Sequence, residues 1–342
     1  MSDMTKLSRR TFMIMPLALA ACRPGDTILE VSGFTMGTSY RVVAIDRTRR
    51  LDEAVVRAAV DGAFAEVTQQ MSNWDASSEI SRFNAQTGQS PVAVSPALAG
   101  VMQAAEAVHV ASGGLFDTTM GPLIELWGFG APSAGAMPDD ADIDAARKRA
   151  GHPNTIRVGQ GTLQKARPDA QIYLAAIGKG YGADQAARAL GELGLSDFMI
   201  EIGGDLYASG RNPDGLPWQI GIERPISTAR EVLQVVGISD LGLASSGDYR
   251  NYFERDGQRF SHLIDPRTGR PVTHRTASAT VLAENAMLAD AWATAFLIMG
   301  RDEGLALAED RGLAVLFTER DPSSGGRGFR AIASSEFTTL TG

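Results

Sequence analysis

The sequence predicts one compact α+β domain, at most bilobed, in which mixed or antiparallel sheets are packed by helices, not a doubly wound parallel sheet. Three observations carry that expectation. Two long segments have helical periodicity, strand-like runs crowd the second half without alternating regularly with helices, and no dinucleotide-type glycine fingerprint or P-loop occurs. With 342 residues, 44% of them hydrophobic and 21% charged, the chain has ample material for a core.

Residues 1–21 read as a targeting segment that lies outside the fold. Arg9-Arg10 directly precede the apolar run Met13–Ala21, a pattern that resembles a twin-arginine export signal. That run is too short to span a membrane. It ends in Leu19-Ala20-Ala21-Cys22, which resembles a lipobox whose cysteine is acylated. Cys22 is the only cysteine, so its lipidation leaves no free thiol; the alternative is an incidental cysteine in an uncleaved helix. The expected location is the periplasm, with a lipid on Cys22 as the membrane anchor. The net charge is −8, and loss of Asp3, Lys6, Arg9 and Arg10 leaves 29 basic against 39 acidic residues. Such a body would rely on its lipid at an anionic leaflet, and with no dense Lys/Arg run it is not expected to bind nucleic acid.

Residues 22–27 form a tether, and residues 28–333 the folded domain. Thr27–Val31 and Ser39–Ile45 are strand-like, with Gly33 and Gly37 marking the turn between them. Leu51–Gln70 has helical periodicity. Pro96–Ser112 is a second helix with Pro near its start and Gly113-Gly114 beyond its end. Asp139–Ala150 is a shorter polar helix. Thr155–Val158, Thr162–Lys165 and Gln171–Tyr173 read as strands of a small sheet, Gly182–Leu193 as a helix, and Phe198–Ile202 as a strand that opens into Gly203-Gly204-Asp205. Trp218–Ile222, Val232–Val236, Gly242–Ser245, Asn251–Arg255 and Phe260–Ile264 continue the strand-rich half. Ala286–Met299 is an apolar helix, Asp302–Arg311 a polar one and Ala314–Phe317 a strand. Ser323–Gly328 is a loop, and the 334–342 tail is expected to be loosely held.

Several segments could carry chemistry. From Ala286 to Met299 every residue is apolar except Asp290 and Thr294, which lie four apart and share a helix face. A carboxylate in such surroundings needs compensation. A hard cation such as Mg²⁺ would supply it, and so would a buried arginine or a capping role. His262 ends a strand before the turn Asp265-Pro266-Arg267-Thr268-Gly269, where it is either a positioned base or a structural histidine. The four histidines show no zinc-ligand spacing. Gly178-Lys179-Gly180-Tyr181-Gly182 is either a phosphate-binding turn or a plain glycine turn before a helix. Met71–Asn84, with Trp74, and Gly114–Gly130, with Phe116, combine aromatic surfaces with small polar groups, as a flat ring ligand would require, or as core aromatics beside polar loops would also give.

Taken in order, these segments resemble the FAD:protein FMN transferase (ApbE) family. The resemblance runs through Phe34–Tyr40, Met71–Asn84, Phe116–Gly130, Ala175–Asp184, Glu201–Asp205, Ser245–Tyr252, Ser261–Pro271 and Ala289–Thr294. It implies Mg²⁺ on Asp290, Thr294 and backbone oxygens near Ala176 and Ala293. It implies FAD contacts from Met36, Trp74, Phe116, Asp117, Thr118, Lys179 and Ile264, with His262 as the general base or its support. Tyr173 stands where the family often has an acidic residue, so it would meet the nucleotide by stacking or by its hydroxyl. The implied reaction transfers FMN from FAD to a serine or threonine of an acceptor protein and releases AMP. The implied acceptor is a membrane redox subunit with a Ser/Thr flavinylation motif, or a membrane regulator of nitrous-oxide respiration. The alternatives are an FAD pyrophosphatase and a non-catalytic FAD-binding lipoprotein.

Overall fold

β-Branched and aromatic residues fill Thr27–Thr35 (β1) and Thr38–Asp46 (β2), which pair as an antiparallel hairpin about Met36-Gly37. This hairpin begins the main sheet of the protein. The structure is a computed structural model that describes residues 26–129, 137–151, 155–226, 231–255, 257–324 and 328–342. The export segment and Cys22 lie outside the described residues. Six more strands join the first two: Phe198–Ile202 (β3), Asp205–Ser209 (β4), Leu241–Gly247 (β5), Thr276–Ala283 (β6), Ala314–Asp321 (β7) and Gly328–Ala333 (β8). Their order across the sheet is their order in the chain, and every neighbouring pair is antiparallel. The architecture is therefore α+β with helices carried in the connections, as expected, and not a parallel doubly wound sheet.

Helices cover one face. Glu53–Met71 (α1), Glu79–Ala85 (α2), Pro96–Ala111 (α3), Gly121–Leu126 (α4) and Asp140–Arg149 (α5) belong to the long β2–β3 connection, together with Gly178–Glu192 (α6). Ala286–Met299 (α7) and Arg301–Arg311 (α8) link β6 to β7, and Ser335–Thr341 (α9) closes the chain. Val42, Ile200 and Ile202 pack under Val60, Phe64 and Ala186. Farther along the same face Ala279 and Val281 pack under α7. The opposite face is covered by the hairpin Trp218–Glu223/Val232–Ile238.

The helix α7 has a side-chain N-cap, Asn285, whose Oδ1 accepts the Leu288 N–H at 2.8 Å, and it ends at Gly300 with φ +79°. Its approach to α6 is set by Gly180, because a Cβ there would overlap the Ala286 carbonyl. Asp184 on α6 completes the joint. Its carboxylate accepts the Ala286 and Met287 N–H groups at 2.8 and 2.9 Å, which places a negative charge at the positive end of α7.

Four expectations are corrected. Gln171–Tyr173 is not a strand, because side-chain amides take the hydrogen bonds a neighbouring strand would have made. Asn84 and Asn73 both donate to the Ile172 carbonyl, Asn84 accepts the Ile172 N–H and Asn73 the Leu174 N–H. The expected strand Phe260–Ile264 is broken at His262: Gln258–Ser261 pairs with Tyr252–Arg255, and Ile264–Asp265 pairs with Arg270–Pro271. Gly178-Lys179-Gly180 is not a turn but the first turn of α6. The 334–342 tail is not loose: Ser334 caps α9, and Phe337, 1% exposed, fills the core on the face away from α7.

Two stability predictions follow from these contacts. Gly180→Ala is expected to destabilise the fold by roughly 1–3 kcal/mol or more through overpacking, whereas Gly191→Ala, with open space at its Cβ, should be neutral or slightly stabilising. Denaturant titration of both variants checks this, and equal midpoints would refute the close-approach argument. Phe337→Ala is expected to cost about 3–5 kcal/mol, where a loose tail would leave the midpoint unchanged.

Candidate active site

An apolar cleft of about 580 Å³ opens between α1 and the start of α6, lined by Met36, Met71, Trp74, Leu174, Gly178 and Lys179. That size and lining suit a flat, largely apolar ligand. Trp74 is 83% exposed at its rim, an unusual placement for an indole with no partner to cover it. Met36 stands at φ +47° in the β1–β2 turn, where side chains other than glycine are strained. Its thioether lies against Gly182, where a Cβ would overlap it.

Lys179 carries the cleft to a buried acidic group. Its ammonium is ion-paired with Asp205 and lies 4.0 Å from Asp290 Oδ1. Asp290 Oδ2 accepts the Gly180 N–H at 3.1 Å. Four residues on, Thr294 Oγ1 meets Ser246 Oγ on β5 at 3.1 Å. Burial pushes the Asp290 carboxyl well above the ordinary carboxylate range, and the adjacent Asp205 adds to that, while Lys179 and the Gly180 N–H oppose it. Burial lowers the pKa of Lys179, but Asp205 and Asp290 outweigh it and hold the ammonium charged. Two carboxyls and one ammonium share this buried space, and a bound cation would favour the ionised form of Asp290. Among the described residues no three His, Cys, Asp or Glu side chains form a metal cage. The side-chain oxygens on offer along α7 are those of one carboxylate, Asp290, and one hydroxyl, Thr294. That set fits Mg²⁺, which binds through few carboxylates and leaves positions for substrate phosphates.

His262 sits in a separate wall. Its Nδ1 is 3.0 Å from the Asn251 carbonyl; a carbonyl only accepts, so Nδ1 carries the proton and Nε2 keeps a lone pair. Phe129 meets the ring edge-on, and Phe253 and Phe260 stack beside it. Burial lowers the imidazole pKa below 6.5, against smaller opposing effects of Asn251 and Asp248. A neutral imidazole with a free Nε2 is equipped to take a proton.

The remaining expected residues divide between ligand-facing and structural places. Phe116 is 1% exposed in the core, so only its backbone is available to a ligand. Asp117 accepts from the Thr119 N–H and hydroxyl at 2.7 and 2.6 Å. Thr118 accepts the Tyr173 N–H at 2.7 Å, and its buried Oγ1 has no partner among the described residues. The Tyr173 hydroxyl lies between Glu125 Oε1 and Gln171 Oε1, at 2.7 and 2.8 Å. Burial, and then Glu125, raise its pKa. Ile264 is buried with Met120, Leu123 and Trp127. Met36, Trp74 and Lys179 thus share the cleft, and Lys179 joins Asp290 to it. His262 hydrogen-bonds to Asn251 and meets Phe129 edge-on, apart from that acidic group. Sequence reasoning missed Asp205, Ser246 and Asn251 as individual site residues. The only signal for Asp205 was an acid directly after Gly203-Gly204 at a strand end.

An antiparallel α+β protein with an apolar cleft leading to a buried acid–lysine group has the outline of an enzyme for a flat, charged-end ligand. Residues 36–317 match the model of the ApbE family. The chain is 39% identical over 322 residues to the FAD:protein FMN transferase of Vibrio cholerae serotype O1, covering 94% of this chain and 95% of that one. It is 38% identical over 340 residues to the protein of that name from Haemophilus influenzae, covering 96% and 95%. Among solved structures it is similar to the flavin transferase ApbE from Vibrio cholerae, with a TM-score of 0.83 and 37% identity over 92% of this chain and 99% of that one. The chain belongs to the ApbE family.

The lowered pKa of His262 has a definite sign. Below pH 6.5 the unfolded chain binds a proton here that the folded chain resists, so this residue's contribution to stability falls as pH drops through that range. An NMR titration of the His262 ring is expected to give a midpoint below 6.5; a midpoint at or above it would contradict the buried, neutral assignment.

Proposed function

We propose that this chain transfers FMN from FAD to a serine or threonine hydroxyl of an acceptor protein, with Mg²⁺ as the metal. The observation that carries this reading is the cleft that ends at Lys179 beside the buried Asp205–Asp290 pair. A ring system fills the apolar part against Met36 and Trp74. The pyrophosphate then lies at the charged end, where the first N–H groups of α6 and Lys179 favour an anion. Asp290 and Thr294, with backbone oxygens at Ala176 and Ala293, would hold Mg²⁺, which when bound neutralises charge on the pyrophosphate. The acceptor hydroxyl attacks the FMN-side phosphorus, the bond to the AMP phosphate breaks, and the hydroxyl proton passes to His262 Nε2. The products are a phosphoester-linked flavoprotein and AMP.

The acceptor belongs to a membrane redox complex, and the enzyme works beside it in the periplasm, held by a lipid on Cys22. The twin-arginine pattern and the solitary Cys22 support that placement. Among the described residues no helix is long and apolar enough to cross a membrane.

The test is to incubate the protein with FAD, Mg²⁺ and a flavin-free soluble domain of a membrane redox subunit that carries the Ser/Thr motif, then to measure intact masses. The expected result is a gain on the acceptor equal to FMN less water, with AMP released. Free FMN and AMP without that gain would make the protein a pyrophosphatase; tight FAD binding without turnover would make it a carrier. Asp290→Asn is expected to abolish transfer, and His262→Ala to slow it by about 10²–10⁴-fold. Full activity in either variant would remove that residue from the mechanism.

A further inference from the structure

The Ser245–Tyr252 segment takes little part in the site above, yet it lines a second cleft. This cleft, about 380 Å³, lies at the end of the main sheet where β2 and β6 begin and β3 and β5 end, and its other wall is the Trp218–Glu223 strand. Adjacent residues of a strand point to opposite faces. Ser246 therefore turns toward α7 and Thr294, while Ser245 turns into this cleft and meets Thr280 at 2.8 Å. The cleft and the acidic group lie back to back across one strand end. The Gly203-Gly204 turn, whose next residue is Asp205, forms part of the cleft's lining.

The same cleft is tied to the base. Tyr249 and Arg250 form part of its wall, and the carbonyl of the next residue, Asn251, holds His262. Asp248 fixes this segment: it is ion-paired with both terminal nitrogens of Arg320, and its N–H donates to Ala277 O at 3.1 Å.

The lining has a distinct chemistry. Hydroxyls from Thr38, Ser39, Ser245, Ser278 and Thr280 line it, and its charged groups balance, Arg41 and Arg250 against Glu201 and Glu223, with Arg250 paired to Glu223 and Arg41 to Glu30. Ser278 is 4% exposed, and its Oγ has no hydrogen-bond partner among the described residues. A buried hydroxyl without a partner is costly, and one that lines a cleft is a ready contact for a ligand. Neutral donors and acceptors with balanced charge suit the amides and polar side chains of an extended polypeptide, not a phosphate-bearing nucleotide. The apolar cleft beside Lys179 already serves the latter.

We propose that this cleft docks the acceptor polypeptide, as an extended segment that carries its serine or threonine over the Gly203-Gly204 turn to His262. The inference rests on the transfer reading. At about 3.3 Å per residue, a few residues beyond the cleft suffice to round a two-residue turn.

The test uses two variants outside the reacting groups. Gln219→Trp adds bulk at the outer edge of the cleft wall, where the Gln219 amide now donates to Pro217 O, and Ser278→Ala removes the unpartnered hydroxyl without breaking any hydrogen bond within the described chain. With the flavin-free acceptor domain as probe, KM for the acceptor is expected to rise at least about tenfold in Gln219→Trp and by a smaller factor in Ser278→Ala. FAD affinity, read by flavin fluorescence, and the melting midpoint should stay at wild-type values. An unchanged acceptor KM in Gln219→Trp overturns the proposal, and so does a parallel loss of FAD affinity, which would assign the cleft to the donor. A photoreactive phenylalanine analogue at position 219 provides a reading independent of turnover: a crosslink to the acceptor domain supports the proposal, and none overturns it. Should the wild-type protein bind the acceptor without modifying it, the transfer reading fails while the crosslink still decides this one.

Discussion

The hydrogen bond from the Gly180 N–H to the Asp290 carboxylate is the contact on which the site depends, because it exists only if α6 and α7 touch backbone to backbone. Helices with ordinary side chains at the crossing keep their axes about 8–10 Å apart, too far for an amide on one to reach a short side chain on the other. Removing the side chain at Gly180 closes that gap. The joint then fixes three things together: the direction of Asp290, the proximity of Lys179 to it, and the capping of α7 by Asp184.

The joint also concentrates charge where charge is expensive. Asp184 is held at about 6 by burial despite its two N–H donors, and Asp290 is raised further by its acidic neighbour. A helix terminus and one lysine compensate only part of this negative charge. Nothing in packing requires two carboxylates there, since apolar residues of similar size would be accommodated at lower cost. Buried carboxyls held above their ordinary range at the mouth of a cleft mark a group that a ligand or ion can complete.

This balance explains what was legible in the sequence. Asp290 and Thr294 were visible because they interrupt an otherwise apolar helix, and His262 because a turn follows it. The glycines of Gly178–Gly182 were visible as a turn before a helix, whereas they begin the helix itself, where Gly180 and Gly182 make room for α7 and Met36. The strand β6 escaped notice because Thr276–Ala283 is buried almost throughout, so no alternation marks it, and its Ala and Ser residues carry weak strand character. The break at His262 was hidden for a different reason. Leu263 and Ile264, directly after the bend, are both buried, each in its own cluster, and an apolar pair reads as continuous strand. Contacts that rest on side-chain amides, such as Asn73 and Asn84 around Ile172, leave no periodic trace at all.

The convergence of Asp205 and Asp290 follows from matched rises. Gly242 of β5 abuts the start of α7 at Asn285-Ala286, since a Cβ there would overlap them. Higher on the same strand, Ser246 meets Thr294. Eight helical residues rise about 12 Å, and the four strand residues beside them about 13 Å, so helix and strand stay in step over that span. Two strand residues above Gly242 is Ala244, and the corresponding helix position is Asp290. The pairing of Leu206 with Leu243 sets Asp205 at that same height. Two acids 85 residues apart in the chain are thus brought level by sheet register on one side and helix pitch on the other. A one-residue slip in β4 would turn Asp205 to the opposite face, so the acidic pair depends on the all-antiparallel, chain-ordered sheet that fixes the register.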